Sequence, residues 1–199
     1  MNLSSIDHVI EELLHRYWEE KTHPSEGFRE PMLAMGPEGG KLIETIVFST
    51  KPRRGLEIGT SSGFSALYAL RGALKARCEF HLWTIDHDPA KARWAEENFR
   101  KAGVDQHITL LIKDGLQAAR ELEGPWDYVL LDAAKWQNLP LMENLIPKLN
   151  PGAVVVTDNV LTHQKELQEF TQFVRNHPQL ISSMFALGNG IEVTFKVPE

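Results

Sequence analysis

The stretch "DYVLLDAAKW" at residues 127–136 carries an apolar run up to one acid, Asp132, and sets Lys135 three residues beyond it. A second run, "GAVVVTDN" at 152–159, ends on Asp158 and Asn159. If the two runs are neighbouring strands, their tips lie about 5 Å apart and three oxygen donors converge. Two carboxylates and an amide oxygen, with no thiol near, suit a hard cation such as Mg²⁺ that keeps some waters or takes substrate oxygens. Asp158-Asn159 alone reads equally well as a turn; with Asp132 added, the metal reading is the stronger. A cation beside Lys135 would lower the pKa of its ammonium and make it a general base near neutral pH. The plainer reading of Lys135 is a surface lysine in the loop after the strand.

A second group of residues belongs to the same edge. "LEIG" delivers Glu57 and the turn Gly59, Thr60, Ser61, Ser62, Gly63; "WTID" ends on Asp86, and "LLIKDG" on Asp114 and Gly115. Scattered surface acids would not keep this register. The turn is not G-x-G-x-x-G, because Ser61 occupies the place of the second glycine, and on its own it reads equally well as a simple βα turn. Glu57 beside it would repel a pyrophosphate and suits a cationic or hydroxyl-bearing ligand. Asp86 fits an acceptor for ribose hydroxyls, its alternative being the cap of the helix at Pro89, a role open to Asp88. A nucleoside without pyrophosphate is favoured, and S-adenosylmethionine fits. Ser65, near the start of the following helix, would hold the carboxylate of its tail with help from the helix N-terminus.

These residues need a scaffold that brings strand ends together. Ile6, Val9, Ile10, Leu13, Leu14, Tyr17 and Trp18 mark one face of a first helix, with Ser4 and Asp7 as its expected cap. A Gly- and Pro-rich loop is expected over 22–40, long enough to serve as a lid, with a second helix from about Pro37. From residue 54 five short, nearly continuous apolar runs alternate with helical patterns. Such runs are expected where both faces of a sheet are covered. The last two runs, joined by "GNG", predict a hairpin. The prediction is an α/β fold: a Rossmann-like, doubly wound, mostly parallel sheet closed by a C-terminal antiparallel hairpin strand. One domain is expected over 1–199, with N-terminal helices and lid loop in 1–50 and the α/β core in 51–199.

Composition narrows the function classes. A net charge of −6 argues against wholesale phosphate neutralisation, so no nucleic acid partner is expected. "KPRR" at 51–54 reads as a solvated turn before a strand. No apolar run reaches membrane-span length, and the N-terminus lacks a basic flank before an apolar block, which predicts no membrane partner and a cytoplasmic location. Cys78 is the only cysteine, which excludes an internal disulfide and a cysteine-rich zinc site. His163 follows Asn159 closely but reads as a loop histidine, and Trp126 and Trp136 either wall a pocket or pack.

The stretches "LEIGTSSGFSALYAL" (56–70), "WTIDHDPAKARWAEENFRKAG" (83–103), "YVLLDAAKW" (128–136) and "GAVVVTDNVL" (152–161) resemble the metal-dependent O-methyltransferases, the family of the catechol and caffeoyl-CoA O-methyltransferases. The last two carry the specific pattern, Asp-x-x-Lys followed by Asp-Asn. The resemblance implies the class I methyltransferase fold, with Asp132, Asp158 and Asn159 as metal ligands and Lys135 as base. It places Glu57, Gly59, Ser61 and Ser65 around the methionine part of S-adenosylmethionine, with Thr60 and Gly63 in the same turn. Asp86 falls on the ribose, His87 beside adenine, Asp114 and Gly115 at the adenine edge, and Met35 at a lid position near the tail. The implied reaction is Mg²⁺-dependent (or another hard divalent cation) methyl transfer to one hydroxyl of a small aromatic vicinal diol. Family members are often dimers, so a homodimer is implied by analogy. Two rivals stay open: a metal-independent methyltransferase and a non-catalytic S-adenosylmethionine-binding protein. Ala133 and Ala134 stand where many relatives carry an acid or a bulky residue, and Ser182-Ser183 where animal catechol enzymes have a substrate-holding glutamate.

Overall fold

The computed structural model describes residues 2–23 and 31–198; of the loop expected over 22–40, residues 24–30 lie outside the described residues. Helix α1 (Leu3–Thr22) buries Ile6, Val9, Ile10 and Leu13 along one face. Its cap is Asn2, whose side chain accepts from Ser4 N–H at 3.1 Å, and not the expected Ser4–Asp7 pair. Asp7 is drawn away by Arg71, 2.9 Å from its carboxylate. Helix α2 (Gly36–Thr50) begins at the expected proline.

The strands β1 (Arg54–Ile58), β2 (His81–Asp86), β3 (Ile108–Ile112), β4 (Trp126–Leu131) and β5 (Leu149–Asp158) are parallel, and the hairpin strands β6 (Leu180–Phe185) and β7 (Ile191–Lys196) complete the sheet. Among the described residues this is one seven-stranded sheet in the order β3-β2-β1-β4-β5-β7-β6, with β7 antiparallel to both neighbours. The crossing helices are α3 (Phe64–Ala76), α4 (Pro89–Ala102), α5 (Gly115–Glu121), α6 (Asn138–Leu145) and α7 (Gln168–Asn176). Helix α6 is shorter than its apolar pattern suggests, because Pro147 falls in a following 3₁₀ turn, Ile146–Lys148.

The side-chain alternation of each strand feeds two cores. Tyr128 and Leu130 of β4 pack with the cluster that holds α1 to α4, while Val129 and Leu131 pack with α5, α6 and α7. Both faces are therefore dry, which is why the strands read as unbroken apolar runs. The winding reverses between β1 and β4, and it is at such a switch point, beyond the strands' carboxyl ends, that a crevice opens.

At the opposite edge the "KPRR" segment departs from expectation. The Arg54 guanidinium lies between Trp83 and Trp126, 4.9 Å from each ring centre, and donates to the carbonyls of Glu123 and Gly124. Trp126 thus packs, buried, at the base of the sheet. Among the described residues no helix is long and apolar enough to cross a membrane.

Candidate active site

A cavity of about 700 Å³ opens over the carboxyl ends of the parallel strands. Of the residues expected at a site, Gly59, Ser61, Asp86, His87, Asp114, Gly115, Asp132, Lys135 and Asn159 line it. A small recess beside it is lined by Met35, Thr60 and Ser65, with Gly59, Ser61 and Asp132 common to both. Glu57, Gly63 and Asp158 stand behind these walls.

The β1–α3 turn is dictated by crowding. Gly59 has φ +105°, and a Cβ there would lie 2.3 Å from the Asp132 carbonyl oxygen, so the tip of β1 passes the tip of β4 only without a side chain. Asp132 N–H in turn donates to Ile58 O at 2.9 Å. Ser61 adopts a left-handed φ of 48°, which turns its N–H onto Asp86 Oδ2 at 2.8 Å and its hydroxyl onto Met32 O at 2.6 Å. One serine therefore ties the glycine turn both to the β2 acid and to the segment before α2. Gly63 caps α3 and donates to Thr60 O at 2.8 Å.

The two roles weighed for Asp86 are divided between two residues. Asp88 caps α4, accepting from Ala90 N–H at 2.8 Å. Asp86 takes one backbone N–H on each oxygen, from Ser61 and Asp88, and keeps lone pairs toward the cavity. His87 beside it is exposed. Asp114 caps α5 through Gln117 N–H at 2.9 Å and meets the Gln137 amide at 3.3 Å. Gln137, buried and lining the cavity, was not marked by any sequence pattern.

Glu57 is 1% exposed. Burial pushes its carboxyl up to about 7, opposed by hydrogen bonds from the Ser65 and Thr84 hydroxyls and aided by the charges of Asp132 and Asp86. The Thr84 bond is 2.5 Å, and Thr84 is itself 2.6 Å from the Thr60 hydroxyl. A serine has one proton to donate. With that proton on Glu57, Ser65 presents only an acceptor to the recess, a polarity that suits an ammonium rather than the carboxylate it was expected to hold.

The last cluster gathers where β4 meets β5. The register sets Leu131 opposite Thr157, so Asp132 and Asp158 emerge side by side. Burial raises the carboxyl of Asp158, and the nearby Asn159 N–H and Asn189 side chain oppose the rise. Its Oδ1 is buried and has no partner. Burial also raises Asp132, Lys135 pulls it down, and the charge of Asp158 adds to the rise. Lys135 Nζ stands 3.2 Å from Asp132 Oδ1 with little of either side chain exposed. Asn159 has φ 71°, a conformation asparagine tolerates better than most residues. Two neighbouring acids, an unpaired buried oxygen and an amide oxygen are a donor set that fits a hard divalent cation. Among the described residues no group of three or more His, Cys, Asp and Glu could hold a metal, so a cation here would need an amide such as that of Asn159 as a third protein donor.

The cavity wall adds residues that sequence reasoning left aside or weighed without choosing. Asn189 reaches it from the β6–β7 turn, and Leu33 and Trp136 stand at it while 66% and 69% exposed. Trp136 is thus the tryptophan that walls the cavity. His163 also lines it, held at 3.0 Å by Glu166. The charges of Asp158 and Glu38 bear on Tyr17, although burial is the main cause of its raised pKa.

The family model described as a methyltransferase domain matches residues 56–160. A catechol O-methyltransferase of Mycobacterium tuberculosis is 33% identical over 132 residues, 66% of this chain and 59% of that protein. The match therefore spans less than two thirds of the Mycobacterium protein's length. A catechol O-methyltransferase of Niastella koreensis is 26% identical over 172 residues, 83% of this chain and 76% of its own. The solved O-methyltransferase from Bacillus cereus in complex with SAH shares the fold, with a TM-score of 0.77 at 21% identity over 95% of this chain and 90% of that one. The span from 56 to 160 holds every parallel strand tip that borders the cavity, and by it the chain belongs to the family of this methyltransferase domain.

Proposed function

We propose that this chain moves a methyl group from S-adenosylmethionine to one hydroxyl of a vicinal dihydroxy aromatic, with Mg²⁺ or a similar hard cation held by Asp132, Asp158 and Asn159. The carrying observation is the buried, unpartnered Oδ1 of Asp158 beside a second acid, an amide and a lysine at one end of the cavity. The diol is supported by the names of the two catechol O-methyltransferases above, and the co-substrate by the family and by the SAH of the Bacillus cereus structure.

The chain's residues divide the work. Asp86 has lone pairs free for ribose hydroxyls. The Ser65 oxygen, backed by Glu57, offers an acceptor to the ammonium of the methionine tail. When bound, a divalent cation supplies a Lewis acid that lowers the pKa of the acceptor hydroxyl. Lys135 Nζ, in its neutral form, takes the proton from that hydroxyl. The oxygen forms its bond to the methyl carbon as the carbon–sulfur bond breaks, and the thioether product departs. Leu33 and Trp136 offer the ring of the acceptor an apolar wall. Holding both reactants in line contributes up to about 7–11 kcal/mol in well-oriented systems.

The test is methyl transfer to catechols, caffeates and dihydroxy flavonoids with Mg²⁺ and with EDTA. Turnover is expected with Mg²⁺ and should stop in EDTA, while SAH binding persists. Undiminished turnover in EDTA sinks the metal role in favour of a metal-independent methyltransferase. SAH binding without transfer to any of the panel favours a protein that binds the nucleoside and does no chemistry.

A further inference from the structure

The β6–β7 turn, "LGNGI" at 187–191, folds back over the end of β5. The contact is specified by backbone. Val160 N–H donates to Gly190 O at 3.0 Å, and Leu161 and Thr162 N–H both reach Asn189 O, at 2.9 and 3.2 Å. A Cβ at Gly190, whose φ is +85°, would lie 2.7 Å from Leu161 N, so the approach depends on a glycine at this point. The turn is thereby bolted to the residues that directly follow Asp158 and Asn159. The Asn189 side chain lines the same cavity as Asp132, Lys135 and Asn159, close enough to the Asp158 carboxylate to oppose the rise that burial causes in it.

We infer that Asn189 is a positioning residue: it fixes the rotation of the Asp158 carboxylate, so that Oδ1 stays unpartnered and available to the cation. The inference rests on the metal reading above. A carboxylate at a strand tip turns freely about its χ angles unless something holds it, and ligand groups depend on such outer partners for orientation. The backbone bonds of the turn do not involve the Asn189 side chain, so truncating it leaves the turn's own scaffold in place.

Mn²⁺ serves as the probe, with its free concentration read by electron paramagnetic resonance and SAH affinity measured in parallel by calorimetry. In Asn189→Ala the Mn²⁺ dissociation constant is expected to rise about 10- to 100-fold, the usual cost of losing such a partner. SAH affinity should stay within about twofold of wild type, and saturating Mn²⁺ should restore most of the turnover. Asn189→Gln, which keeps an amide donor on a longer arm, should recover most of the Mn²⁺ affinity. An unchanged Mn²⁺ constant in Asn189→Ala overturns the inference. So does a loss of SAH affinity in the same proportion, or a Gln variant as weak as the Ala variant, since either marks a role in the turn alone. If the wild type itself binds no Mn²⁺, the metal reading fails and the inference falls with it. If the wild type binds Mn²⁺ and both variants bind it equally well, the inference alone fails.

Discussion

Replacing Glu57 by glutamine should stabilise the protein above neutral pH and not below about pH 5. Glu57 is buried and its carboxyl is raised from an ordinary 4.5 to about 7, with burial as the main cause. A carboxyl raised in the folded state takes up a proton on folding between those two values. Its favourable contribution is whole below the unfolded pKa and is lost as pH rises through the folded one. Each pKa unit is about 1.4 kcal/mol, so the loss from 4.5 to about 7 amounts to roughly 3 kcal/mol. Glutamine has nearly the same shape and no ionisation to suppress. Its amide can meet both hydroxyls, since Thr84 can turn its proton toward Thr60, 2.6 Å away, and accept from the amide. Urea unfolding of wild type and Glu57→Gln near pH 5 and near pH 8 isolates this one group, because the other titrations cancel in the difference. The variant's advantage should grow by roughly 3 kcal/mol between the two conditions. An advantage constant to within about 0.5 kcal/mol would show that Glu57 is not carried neutral in the folded state, and the reasoning from burial would fail. Saturating SAH, whose tail carries an ammonium, should flatten the wild-type profile by favouring the ionised carboxylate.

Three further outcomes test other parts of the structure. Gly59→Ala sets a methyl group against the Asp132 carbonyl at 2.3 Å and forces a left-handed residue, so it should cost about 2–4 kcal/mol in urea unfolding and weaken Mn²⁺ binding; near wild-type stability would contradict the crowding of β1 and β4. Arg54→Ala removes the contact with both tryptophans and the bonds to Glu123 O and Gly124 O, for an expected loss of about 1–3 kcal/mol with SAH affinity unchanged, and a loss confined to SAH affinity would place Arg54 elsewhere. Lys135→Met should lower kcat by about 10²-fold or more while SAH still binds, and undiminished turnover would remove Lys135 from the role of base.

Much of the fold was legible because burial on two faces writes itself into the chain. The apolar runs ending on Ile58, Ile85, Leu131 and Thr157 could only be strands covered on both sides, and the spacing between them left room for one helix each. Asp132, Asp158 and Asn159 were legible for the same reason, since parallel neighbours deliver the residue after each run to one edge. Less legible was which distant group claims a polar tip. Asp7 looked like part of a cap until Arg71, 64 residues away, took it. Arg54 looked solvated until β2 and β4 set a tryptophan on each side of it. Ser65 looked like a donor to a ligand until Glu57 took its proton. Asn189 was visible only as the middle of a hairpin turn, because its approach to Asp158 requires β7 to lie beside β5, a pairing that periodicity does not specify.

The five acids delivered to this edge are chemically unlike one another, and the difference decides what each can bind. Asp114 is committed to a helix cap and to Gln137. Asp86 accepts one backbone N–H on each oxygen, and its remaining lone pairs suit hydroxyl donors. Glu57 is sealed behind two hydroxyls and carried toward neutrality by burial, so it answers to a cation brought close rather than to a hydroxyl. Asp132 is paired with Lys135 at 3.2 Å, a contact that the proposed reaction would have to loosen for the lysine to act as base. Only Asp158 keeps a buried oxygen with no partner. A buried carboxylate oxygen left bare costs on the order of 1–3 kcal/mol or more, and nothing in the sheet requires it there. The proposed hard cation would recover that cost, and the asymmetry, more than the number of acids, is what separates the β4–β5 end of the cavity from the β1–β2 end.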